Sequence, residues 1–164
     1  MKFRTLTTAL LLSVGFVTPL LAQSLEKWGA SEYWDVMIDP TLGDGCLIQS
    51  EFEDGSIVRI GFDRLEGSGY VTAFNMSWGD IEQGAFYPVL FELDGEEYEA
   101  EAKGMYLDDV PGADIAFDNL EFLFDIAKKQ TMTLYTEEGE VMSIDLTGSN
   151  LALEAAIECQ EEMG

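Results

Sequence analysis

The chemistry open to this chain is that of carboxylates and of one pair of sulfurs. It carries 32 Asp and Glu against 8 Lys and Arg, with two cysteines and no histidine. Without histidine the commonest general base and metal ligand is missing. The sequence contains no GxSxG elbow, phosphate-binding loop, GxGxxG turn or DxDxDG calcium loop. Paired carboxylates can hydrolyse glycosides when they face each other across a cleft at about 5–10 Å. Among so many acids chance pairs are expected, and no pair is singled out by spacing. The sequence thus offers no catalytic residue and no cofactor site.

Three acidic clusters carry the oxygen donors that Ca²⁺ takes: Glu51/Glu53/Asp54, Glu92/Asp94/Glu96/Glu97 and Asp108/Asp109/Asp114. The first two coincide with Asp-Gly hairpin turns, which backbone geometry alone explains. The third lies beside Pro111-Gly112, where a loop could wrap an ion. It is the weak calcium candidate, although its spacing matches no known cage and a solvated turn is the simpler reading. Of the aromatic residues Trp28, Tyr33, Trp34, Trp78, Phe86 and Tyr87, three (Trp34, Phe86, Tyr87) sit inside strand-like runs and are expected in the core. Trp78, in the Ser77-Trp78-Gly79-Asp80 loop, is the aromatic residue expected at the surface and the candidate for ligand binding.

The redox chemistry of Cys46 and Cys159 depends on compartment, and the start of the chain supplies it. Lys2 and Arg4 precede an apolar run from Leu6 to Leu21, and small residues follow at the places where a signal peptidase cuts, Ala22 or Ser24. Residues 1–24 therefore read as a Sec-type export signal, which leaves residues 25–164 as one acidic domain in the periplasm or outside the cell. There the two cysteines are expected to form a structural disulfide, since they lack CxxC spacing.

All 32 acids lie beyond residue 25 while Lys2 and Arg4 fall inside the leader, so the net charge of −24 becomes −26 after cleavage. A surface of that sign repels nucleic acid and anionic headgroups, so neither is an expected partner. The acids are spread along the chain rather than blocked, which suits solubility in a salty medium as well as recognition of cations or basic proteins. No run beyond the leader is long enough for membrane insertion.

Period-two patterns dominate from Tyr33 onward. Strands are expected at Tyr33–Ile38, Cys46–Phe52, Ile57–Phe62, Tyr70–Met76, Phe86–Leu93, Glu96–Ala102, Ile115–Phe117, Thr131–Thr136 and Val141–Leu146, after a polar lead-in at 25–32. The strongest hairpin cues are Asp54-Gly55 and Asp94-Gly95, and Pro111-Gly112 reads as a further turn. Along Glu96–Ala102, Glu97, Glu99 and Glu101 share one face opposite Tyr98, Ala100 and Ala102, as in an antiparallel sheet with one wet face. The period then changes to 3.6: Leu120, Leu123, Phe124 and Ala127 form one stripe of a helix, with Asp118 as its expected N-cap. A last helix, about Asn150–Glu162, puts Ala152, Ala155, Ala156 and Cys159 on one face. The expected fold is α+β: a mostly antiparallel β sheet or sandwich with two late helices, the C-terminal one tied to the sheet by Cys46–Cys159.

Trp34-Asp35-Val36 followed by Gly45-Cys46-Leu47-Ile48-Gln49 resembles the opening of invasion-associated locus B-type secreted proteins of alphaproteobacteria. The stretch from Leu120 to Ala155 resembles them more closely: an amphipathic helix with a basic end, Thr131-Met132-Thr133-Leu134, a Gly-containing turn, Val141 to Asp145, then Leu146-Thr147-Gly148 leading into a helix with Ala152-Leu153. Such proteins usually carry a further cysteine soon after the first tryptophan, where this chain has Ile38 and Asp39, and they are less acidic. The resemblance implies a secreted or envelope-associated β protein, of a kind linked in some pathogens to host-cell invasion and without an established enzymatic mechanism.

The reading that follows is an exported, non-enzymatic binding or envelope-associated protein whose partner is a protein or envelope component. The alternative is a carboxylate-dependent hydrolase or Ca²⁺-dependent binder acting on extracellular polymers.

Overall fold

The computed structural model describes residues 24–164, so residues 1–23 of the expected export signal lie outside the described residues. Ten antiparallel strands run β1 (Glu26–Ser31), β2 (Trp34–Asp39), β3 (Gly45–Glu51), β4 (Ile57–Asp63), β5 (Ser68–Phe74), β6 (Phe86–Leu93), β7 (Glu96–Leu107), β8 (Val110–Phe117), β9 (Thr131–Thr136) and β10 (Gly139–Asp145). Helix α1 (Leu120–Ala127) precedes β9, and α2 (Ser149–Met163) ends the chain. The sheet order is β1-β2-β3-β4-β5-β8-β7-β6-β9-β10. The α+β expectation holds, including the helix bridged to the sheet.

Register explains the layers. Val36, Ile48, Ile60, Val71 and Ile115 are successive cross-strand partners over five strands, and all are buried. Each such side chain contributes about 1.5–3 kcal/mol by leaving water, and β-branched chains suit the pleat. α1 and α2 cover this inner face, α2 presenting buried Ala152, Leu153, Ala156 and Cys159. Cys159 is bonded to Cys46 on β3, with Cα atoms 6.2 Å apart. The sheet curls around the helices until its ends meet: the Trp34 indole N–H on β2 donates to the Thr147 carbonyl, beyond β10, at 3.0 Å.

Four local expectations are corrected. The polar lead-in is strand β1, paired with β2 around a bulge at Lys27/Gly29, because the hairpin turn takes Glu32 at φ 52° rather than a glycine. Pro111-Gly112 is not a turn. The chain reverses at Asp108-Asp109, with Asp108 at φ 52°, and Pro111 lies within β8 opposite Tyr106. α1 is capped by Asn119, not Asp118: the Asn119 side chain accepts from the Glu121 N–H at 3.0 Å. Phe86, placed in the core by its strand pattern, is 64% exposed.

Candidate functional site

One residue out of phase with the apolar row lies a polar one on the opposite face of the sheet. Asp35, Gln49, Arg59, Thr72, Asp114 and Lys103 are successive cross-strand partners from β2 to β7. Strand alternation makes the second row an automatic consequence of the first.

At Lys103 the sheet divides. β7 pairs with β6 from Glu96 to Lys103 but with β8 only from Lys103 to Leu107. Residues 115–117 of β8 pair with β5 alone, so β7 leaves β8 at the Lys103–Asp114 pair and a slot opens between them. Ala116 and Phe117 line one wall, Tyr98 to Glu101 the other, and Phe91 and Phe122 also face the slot. These rings pack on one another: Phe91 stacks on Tyr98 at 5.2 Å, and Phe122 meets Tyr98 and Phe117 at 5.3 Å each. The slot opens onto the polar row, where Arg59, Tyr70, Thr72, Phe74 and Asp114 line the same concavity of about 1290 Å³.

The polar end is held rigidly. Arg59 Nε donates to Gln49 Oε1 at 2.8 Å, and its guanidinium carbon stands 5.4 Å from the centre of the Phe74 ring. Phe74 in turn lies over Gly112, where a Cβ would collide with the ring. Tyr70 lies over Gly61: a Cβ there would stand 2.9 Å from the Tyr70 hydroxyl and 2.5 Å from Leu47 Cβ. Burial, and after it the Asp39 charge, pushes the Tyr70 phenol far above its ordinary range while Arg59 opposes, so the hydroxyl stays a neutral donor. Burial also pulls the Arg59 guanidinium down, against Tyr70 and Asp39, but arginine remains charged. Burial pushes the Asp114 carboxyl up, opposed by the Thr72 hydroxyl, which donates to it at 2.6 Å, and by Lys103.

The cations among the described residues divide accordingly. Lys27, Lys128 and Lys129 pair with Asp35, Asp125 and Glu96, and Arg64 donates to the main-chain oxygens of Gly43 and Gly164. Arg59 and Lys103 have no ion-pair partner among the described residues, and both line the slot. The same concavity is lined by Asp39, Asp63, Glu66, Glu99, Glu101 and Asp114, so it holds two cations free of ion pairs among six carboxylates.

The residues singled out from sequence lie elsewhere. Asp108 and Asp109 form the β7–β8 turn, whereas Asp114 is five residues along β8, roughly 16 Å away at strand rise. The calcium candidate is thus not assembled, and no cluster of three metal-ligating side chains occurs among the described residues. Asp54 accepts from the Ser56 N–H at 3.0 Å, a local turn bond. Asp94 accepts from the main-chain N–H groups of Gln130 and Thr131, and Glu96 pairs with Lys129 at 2.6 Å, so the second cluster fastens β9 and the end of α1 to the β6–β7 hairpin. Trp78, expected at the surface, is half-buried against the core, its enclosed indole N–H without a partner among the described residues. It does not line the slot. Trp28 is half-buried as well and donates to Glu162 of α2 at 2.9 Å. Of the sequence candidates, the structure brings Asp114 and Phe86 to the concavity. Arg59, Tyr70 and Lys103 went unnoticed because only register brings them together.

No helix among the described residues is long and apolar enough to cross a membrane. No protein-family model matches the chain, and no curated protein does so. Among solved structures it is similar to the crystal structure of invasion associated protein B from Bartonella henselae, with a TM-score of 0.55 and 13% sequence identity, over 81% of this chain and 99% of that one. The resemblance read from Trp34-Asp35-Val36 and from Leu120–Ala155 is therefore one of fold: this chain folds as invasion associated protein B does.

Proposed function

We propose that this chain is an exported, envelope-associated protein that works without catalysis, by holding a partner in the slot between β8 and β7. The observation that carries this reading is the departure of β7 from β8 at Lys103–Asp114, which leaves a concavity fitted with unpaired cations. The disulfide suits an oxidising compartment, and the likeness to an invasion associated protein agrees with an envelope role. Against hydrolysis, Asp114 has Thr72 and Lys103, not a second carboxyl, as its cross-strand neighbours.

The test uses the oxidised chain, without its leader, as bait for an envelope extract, beside an Ala116→Trp variant. Ala116 is exposed on the slot wall, so the indole fills the slot without entering the core. A component retained by the parent and lost with the variant supports the reading. Identical retention by both contradicts it.

A further inference from the structure

The slot is bounded by open strand edges. Between Glu97 and Ala102, β7 is paired on its β6 side only, and no other backbone hydrogen bond reaches this segment from the described residues. Its side chains Glu97, Glu99 and Glu101 are exposed. An open edge is a template for another extended chain, which supplies the missing main-chain partners. The concavity that contains this edge also reaches Arg59, whose Nε is occupied by Gln49 while its terminal nitrogens make no hydrogen bond to the described residues. Nearby, the hydroxyl of Tyr70, a residue 6% exposed, is likewise without a partner among them and lies over the bare backbone of Gly61.

Resting on the reading of the slot as a binding site, we propose that its ligand is the C-terminal end of a basic polypeptide: the main chain adds to the free edge of β7, and the terminal carboxylate is received by Arg59 and the Tyr70 hydroxyl. A planar carboxylate matches the guanidinium fork. The fork is preset by Gln49 and Phe74, so little freedom is lost on binding. The basic character follows from charge. Side chains of an added strand alternate beside Glu97, Glu99 and Glu101, and a ligand carrying several anions would meet the field of a net charge of −24 over the whole sequence. A single terminal carboxylate on a cationic chain satisfies both requirements. An acidic glycan would satisfy only the first.

The test is calorimetric titration with the hexapeptide Lys-Val-Lys-Val-Lys-Val as the free acid, the same peptide as its C-terminal amide, and tetragalacturonate. The free acid is expected to bind at least about tenfold more tightly than the amide, the worth of one good charge-assisted hydrogen bond. Arg59→Gln should bring the free acid down to the level of the amide. Arg59→Lys, which keeps the charge but not the fork, should recover part of the difference, provided circular dichroism shows both variants folded. Equal binding of acid and amide to the parent, or an acid–amide difference unchanged in Arg59→Gln, would overturn the carboxylate receptor. Arg59-dependent binding of tetragalacturonate without peptide binding would overturn the ligand class. Neither result bears on the slot as such, which the Ala116→Trp comparison tests separately.

Discussion

Gln49 holds Arg59 in place: its side-chain oxygen accepts from Arg59 Nε at 2.8 Å across the β3–β4 pair, while the guanidinium carbon stands 5.4 Å from the centre of the Phe74 ring. A half-buried cation without a carboxylate partner is costly to keep, and the hydrogen bond and the ring face offset that cost only in part. Gln49→Leu should therefore weaken slot ligands without unfolding the chain, whereas Arg59→Met, of similar length and uncharged, should be neutral or stabilising. Chemical denaturation of both variants checks this. A loss above about 3 kcal/mol for Arg59→Met would mean the guanidinium is structural.

The Cys46–Cys159 bond spans a sequence separation of 113 residues. Closing a loop of that length stabilises a fold by about 4–5 kcal/mol in the chain-entropy picture. Urea unfolding with and without reductant should show a loss of about 2–5 kcal/mol. Coincident curves would contradict the bond's structural weight.

Gly61 leaves room for Tyr70 on the outer face. Gly61→Ala would put a methyl 2.5 Å from Leu47 Cβ, a backbone-anchored atom that cannot swing away. The expected cost is about 1–3 kcal/mol, as for other overpacked sites. It should be accompanied by weaker binding in the slot, because the Tyr70 hydroxyl is displaced. Unchanged thermal stability would show that the sheet accommodates the methyl group.

Acid titration should separate two classes of aspartate. Burial raises Asp114, so its ionised form costs stability above its folded pKa, and that cost disappears as pH falls below the unfolded value of 3.8. Asp114→Asn is therefore expected to be more stable than the parent at pH 7 and to lose its advantage by about pH 4. Asp54 and Asp145 behave in the opposite sense. Hydrogen bonds from Ser56 and Thr147 lower both, so their contribution is present above the unfolded value and lost as pH falls through the folded one. Melting temperatures of the three Asn variants between pH 3 and pH 7 measure this, and a lower stability of Asp114→Asn at pH 7 would contradict it.

Much of this fold is legible in the sequence where one interaction dominates locally. Asp94-Gly95 between alternating runs gives the β6–β7 hairpin with Phe86–Leu93 exact to the residue, and Leu120, Leu123 and Ala127 announce α1 by their period. The legible part fails where a non-glycine residue takes a positive φ, as at Glu32 and Asp108, because no residue type flags the turn there. Pro111 misleads for a related reason. It stands second in β8, one residue beyond the reach of β5, where its missing N–H breaks no β5–β8 pair. The slot is not legible locally. Gln49, Arg59, Thr72, Asp114 and Lys103 come from five strands, and nothing in any one strand says that they share a row.

The most direct measurement of the open slot and its use is residue-resolved amide hydrogen exchange along Glu96–Ala102, compared with residues 57–61 of β4, which are paired on both sides. In the free protein, protection should alternate along β7, with every second amide exchanging quickly, while that stretch of β4 is protected throughout. Saturation with Lys-Val-Lys-Val-Lys-Val free acid should slow the fast set. Uniform protection of 97–102 in the free protein would mean that the edge is closed and would contradict the slot.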